Sequence, residues 1–172
     1  DQFTVAMCHK KLILSLFVAF CVSRVCQASS SGESIGNRAR SYIGSSKWLY
    51  SGNHETGANT NKCNIFVGDV LKEEGCPAPN RHWWYSPIGA NEWANPSSEY
   101  LSSSPCWEKC DSPEKGDVIA TGGHVGIVSG YQNTTSASAA ANPQGLIVEN
   151  DWGFRSDQNT TCWRYRHNKS GC

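Results

Sequence analysis

Between Lys62 and Gly75 the side chains of Cys63, Phe66, Val67, Val70 and Leu71 recur at the three- and four-residue spacing of one helical face. Thr60 or Asn61 stands where a cap for such a helix belongs, and Gly75 stands at the C′ position that ends it. The segment predicts one amphipathic helix with a cysteine in its first turn, on the face turned to the core. A helix start offers unpaired N–H groups and a partial positive charge of about half an electron, and both favour a thiolate. That placement suits a nucleophile. The competing reading is a disulfide half, the usual fate of a cysteine in an exported chain.

Around this helix the pattern is mixed. Residues 34–43 predict a shorter helix, with Ser34 as its cap and Ile35, Ala39, Tyr42 and Ile43 on one side. Short β segments follow at 116–120, 124–129, 146–150 and 163–166, with a tight turn at Gly122-Gly123 and a polar loop over 131–144. Helices first, then consecutive strands joined by turns, predict an α+β fold with an antiparallel sheet. Residues 76–111 show little periodicity beyond a helical turn near Ala90 to Trp93. Trp83, Trp84, Trp93 and Tyr100 fall in this stretch, which is either functional or tied down. Its aromatics serve to line a groove for sugar or peptide, or to cover the core.

The N-terminal 28 residues predict a leader rather than part of the domain. Met7 reads as the start, Lys10 and Lys11 as the charged region, positions 12–22 as the apolar run, and Ala28 as the residue before cleavage. The run is shorter than the ~20 residues a membrane span needs. The expectation is a secreted, extracellular, monomeric domain over 29–172, with no membrane association after cleavage. Cys8, Cys21 and Cys26 leave with the leader, so six of the nine cysteines remain, and 15 pairings are conceivable. Cys76 with Cys106 and Cys110 is expected to pin the middle loop, and Cys162 with Cys172 to close the tail. Sequons at Asn133, Asn159 and Asn168 fit secretion.

Fifteen basic residues balance fifteen acidic ones, so nothing points to a nucleic-acid partner. Seven tryptophans argue against disorder. There is no His-Glu-x-x-His, and His54, His82, His124 and His167 lack tight ligand spacing, so neither metal nor cofactor is expected.

What remains is a helix-start Cys63, a strand-start His124 and a later strand ending in Glu149-Asn150-Asp151. A cysteine hydrolase needs such parts: a sulfur to attack a carbonyl, an imidazole to move its proton, and a polar group to hold the ring. The series Lys62-Cys63-Asn64-Ile65-Phe66-Val67, Gly116-Asp117-Val118-Ile119 and Gly123-His124-Val125-Gly126-Ile127-Val128 resembles the papain-like bacterial cell-wall amidases of the NlpC and CHAP type. More narrowly it resembles the type VI secretion amidase effectors and their secreted animal relatives, the domesticated amidase effectors.

That resemblance implies a papain-like fold, with the nucleophile starting a central helix packed on the sheet, and a hydrolase of peptide stems or cross-links in bacterial peptidoglycan. It implies Cys63 as nucleophile and His124 as general base. Glu149 and Asp151 are the candidates for the third member, on one strand face, with Asn150 on the other unless the strand bulges. Trp83, Trp84 and Tyr50 are the expected substrate contacts. The alternatives are a non-catalytic peptidoglycan-binding protein on the same scaffold, in which Cys63 is bridged, and an acyl transferase that passes the thioester to an amine.

Overall fold

The computed structural model describes residues 31–138 and 144–172, so the predicted leader and positions 139–143 lie outside the described residues. The described chain is α+β, with four helices and a six-stranded antiparallel sheet. Helices α1 (Gly32–Ser41) and α2 (Cys63–Glu73) come first, followed by two short ones, α3 (Ala90–Ala94) and α4 (Glu99–Ser102). The strands are β1 (Trp107–Cys110), β2 (Val118–Thr121), β3 (His124–Gly130), β4 (Asn133–Ala137), β5 (Ile147–Asn150) and β6 (Thr161–Tyr165), in the spatial order β1-β6-β2-β3-β4-β5.

Helix α1 starts two residues earlier than the sequence suggests. Ser31 is its cap, and Ser34 is the reciprocal third residue of a capping box: each serine side chain accepts from the other's backbone N–H. Helix α2 has the expected apolar face but not the expected cap. Lys62 occupies the N-cap position, and its side chain makes no capping bond to the helix. The Thr60 hydroxyl is spent elsewhere, on the Gly57 carbonyl at 2.9 Å and Thr56 Oγ1 at 2.8 Å. Gly75 follows the C-cap with φ +72°, as the C′ role requires. Phe66, Val67, Val70 and Leu71 are fully buried, and each such burial stabilises by roughly 2 kcal/mol. Helices α1 and α2 pack on β3 and β4, and α3 packs on β2, β3 and β6.

Two strands escape the sequence pattern. Strand β4 lies inside the expected polar loop. Thr134, Thr135 and Ser136 are buried; the Thr135 hydroxyl donates to Ser129 Oγ at 2.9 Å and Ser136 Oγ lies 3.0 Å from His124 Nε2, so hydrogen bonding rather than hydrophobicity accommodates these two. Strand β1 lies at the end of the irregular segment and pairs with β6 at the sheet edge. Trp93, Trp107 and Tyr165 stack edge to face there and bury this part of the core.

The cysteine pairing also differs from expectation. Cys106 joins Cys172, and Cys110 joins Cys162. Cys110 and Cys162 face each other directly in the β1–β6 register, so sheet pairing, which spacing does not reveal, brings their sulfurs together. Cys76 is in neither bridge and does not pin the middle loop to Cys106 or Cys110. Asp117, of the Gly-Asp motif, is buried and holds Arg164 on β6 through two bonds of 2.9 and 2.8 Å, which ties β2 to its neighbour. Among the described residues no helix is long and apolar enough to cross a membrane.

Candidate active site

Cys63 opens α2, is 6 % exposed and belongs to no disulfide. Its sulfur is faced by the backbone N–H groups of Val125, Asn64 and its own residue, all of which favour the thiolate. Burial works the other way and dominates, so the thiol's pKa lies above its ordinary value. The Val125 amide brings the sulfur to the first residues of β3, where His124 stands.

His124 and Cys63 line one small cavity of about 50 Å³. Trp48, Tyr50, Asn61, Lys62, Gly123, Ala137, Ser138, Gln144 and Gly145 complete its lining. One water needs about 10–15 Å³ of such space, so the cavity has room for a few waters or a small polar group. The walls are tied together where the Tyr50 N–H donates to the Gln144 carbonyl at 3.0 Å.

The His124 ring is held from two directions. Its Nε2 lies 3.0 Å from Ser136 Oγ on β4, and Trp152 meets it edge to face with centroids 4.4 Å apart. Burial drives its pKa down to about 4. No hydrogen bond joins His124 to Cys63. The pair therefore rests at neutral pH as thiol and free-base imidazole. With Nε2 engaged by Ser136, Nδ1 is the other ring nitrogen that could take up a proton.

The acidic candidates are elsewhere. Glu149 accepts from Ser129 Oγ at 2.8 Å and pairs with Arg40 at 3.1 Å. It faces Thr135 across the β4–β5 register, and strand alternation turns Thr135 to the side opposite Ser136. Asp151 is exposed and binds Arg155 one helical turn on. Neither is brought to His124, and Asn150 Oδ1 accepts from the Trp152 N–H instead. The hydroxyl of Ser136 occupies the place expected of a carboxylate. Sequence reasoning passed over it because β4 itself was not recognised; the one available signal was Gly126, whose missing side chain lets Thr134 and Ser136 approach β3 closely. Of the three expected substrate contacts, Tyr50 lines the cavity. Trp83 and Trp84 are exposed on the 80–87 loop and do not.

Two buried charges brace the Cys63 side. The Lys62 ammonium donates to the carbonyls of Gly57 at 2.9 Å, Thr60 at 3.2 Å and Tyr50 at 3.3 Å, and so gathers the loop before α2 around itself. Asp69, on α2, receives Trp48 Nε1 at 2.9 Å, His54 Nε2 at 2.7 Å and the Tyr85 hydroxyl at 2.7 Å. Burial opposes its charge, but these bonds and the Lys47 ammonium outweigh that and keep its carboxyl below the usual range. The carboxylate thus fixes Trp48, a wall residue, to the helix that carries Cys63.

Cys110, Asp117 and Cys162 form a close group of potential metal-binding side chains, but their two sulfurs are bonded to each other and Asp117 is engaged by Arg164. No family model matches the chain, and no curated protein matches it.

Proposed function

We propose that the protein is a cysteine-dependent amidase of the papain-like, NlpC and CHAP type, which hydrolyses peptide stems or cross-links of bacterial peptidoglycan after secretion, as antibacterial defence. The observation that carries the reading is the unbridged Cys63 at the start of α2, with its sulfur against the Val125 amide and its cavity shared with His124. The two disulfides agree with an oxidising compartment.

In this mechanism His124 Nδ1 takes the Cys63 proton as sulfur bonds to the amide carbon. The backbone N–H of Cys63 donates to the oxyanion. The C–N bond breaks, and the imidazolium gives its proton to the leaving amine. Water then attacks the thioester, His124 accepts its proton, and the C–S bond breaks to return the thiol and release the carboxylic acid. Ser136 holds the ring through Nε2 during both proton transfers.

The cross-link involving diaminopimelate is the first substrate to test, and the D-glutamyl–diaminopimelate bond the second. Mass spectrometry of digested peptidoglycan should show one new amine and one new carboxylate per cleavage with the native protein and none with Cys63→Ala. Fragment release by a folded Cys63→Ala protein refutes the reading. The unbridged Cys63 also speaks against the binding-only alternative, which needs that cysteine paired.

A further inference from the structure

We propose that residues 80–87 form a rigid platform on which the sugar rings of a glycan strand stack, outside the slit, while the attached peptide reaches Cys63. The choice of polymer rests on the peptidoglycan reading; the platform itself rests on the geometry of the loop.

Trp83 is 93 % exposed and Trp84 51 % exposed, in a molecule that buries Trp48, Trp93, Trp107 and Trp163. Leaving two adjacent indoles in water is costly unless they meet a partner. They are also held in place. His82 stacks on Trp84 with ring centroids 4.5 Å apart and planes 20° apart, and Trp83 meets Trp84 at 88°. The two indoles therefore make a right-angled corner rather than one flat apolar face.

The loop beneath them is closed. Asn80 and Pro87 form a β-bridge, and the Arg81 N–H donates to the Ser86 carbonyl at 2.9 Å. It is fastened to α2 at three points. The Tyr85 hydroxyl binds Asp69, Asn64 Nδ2 donates to the Pro87 carbonyl at 3.4 Å, and Pro87 lies where a side chain at Gly68 would have to go. Asn64 and Gly68 lie one and five residues beyond Cys63, so the corner is anchored to the nucleophile's own helix. Presenting rings on a loop already ordered avoids the entropy cost of ordering it on binding.

The chemistry favours a carbohydrate over an anionic lipid surface. Arg81 folds back, with Nη2 on Asn91 Oδ1 at 3.2 Å, so its guanidinium is engaged by α3. Residues 75–91 contain no acidic side chain, so nothing at the corner repels a carboxylate-bearing polymer. The apolar face of a pyranose ring lies flat on an indole, and its hydroxyls meet the imidazole and amide edges nearby.

The test is a double variant, Trp83→Ala with Trp84→Ala, which alters exposed side chains only. Three measurements distinguish the outcomes: sedimentation with lipid-free, protein-free sacculi, made with both proteins also carrying Cys63→Ala; sedimentation with phosphatidylglycerol vesicles; and turnover of sacculi against turnover of a sugar-free stem peptide. The expected result is about a tenfold weaker association with sacculi, a similar fall in sacculus turnover, and no change on the free peptide. Unchanged sacculus binding overturns the platform. An equal fall on both substrates also overturns it, since the loop would then belong to the peptide site. Loss of vesicle binding alone overturns it in favour of a lipid surface. If the native protein hydrolyses neither substrate, the amidase reading fails, yet sedimentation still decides the platform.

Discussion

Two buried thiols flank the same helix, each near an imidazole, and only one has the setting the proposed chemistry needs. Cys63 begins α2, receives N–H groups at its sulfur and opens into the slit that His124 also lines. Cys76 lies just beyond the end of α2, where its sulfur donates to the Glu74 carbonyl at 3.5 Å and sits 3.8 Å from His167 Nδ1. It is 1 % exposed. The donors at a helix start stabilise a sulfur anion, and the carbonyls at a helix end oppose one. Nearness to a histidine is therefore not the distinguishing property, since Cys76 also has a ring nitrogen 3.8 Å from its sulfur. Helix-end polarity and access to an opening are what separate the two.

The largest way to break this contrast is substitution. Cys63→Ala is expected to lower turnover of stem peptide by about 1,000-fold or more, and Cys76→Ala to leave it within about twofold, in a steady-state assay of amine release. A Cys76 effect as large as that of Cys63 would erase the distinction.

Acid should come next. The His124 pKa is depressed from 6.5 in the unfolded chain to about 4 in the fold. The unfolded state therefore binds more protons between those values, and stability is lost as pH falls from 6.5 to 4, by about 3 kcal/mol in all. Denaturant titrations at pH 7 and pH 4 should show this loss, and its His124 share should vanish in His124→Gln.

Third is the ring's support. Ser136→Ala is expected to lower kcat by about tenfold with KM little changed, because the ring loses its Nε2 partner. Glu149→Gln and Asp151→Asn are expected to stay within about twofold, since those carboxylates serve Arg40 and Arg155. If the acidic variants prove the damaging pair instead, the orienting group has been misassigned.

The smallest effect on turnover comes from a change in stability alone. Opening Cys110–Cys162 by double serine substitution removes a link across 52 residues, worth about 4 kcal/mol in a chain-entropy account, and should lower the melting temperature while turnover at 25 °C persists.

The same contrast shows how far residue order reaches. The face of α2, the turn at Gly122-Gly123, β3 beginning at His124 and β5 ending at Asn150 were readable, because period and turn chemistry are local. Strand β4 was not, because Thr134, Thr135 and Ser136 look like loop until the sheet buries them and the Thr135 and Ser136 hydroxyls find partners. Ser136 was lost with it. The disulfides needed the β1–β6 register, which is a property of the sheet. Lys62 reads as a surface residue and is instead buried among carbonyls, because the loop from 50 to 60 wraps around its ammonium.

Alkylation with mapped stoichiometry tests the central claim most directly. The native protein is treated with iodoacetamide at pH 8, and modification of each cysteine is followed by peptide mass spectrometry alongside residual turnover. Cys63 should be modified first, with activity falling in proportion to its occupancy while Cys76 stays intact until the protein is unfolded. Full turnover from protein carrying a completely alkylated Cys63 would contradict the account.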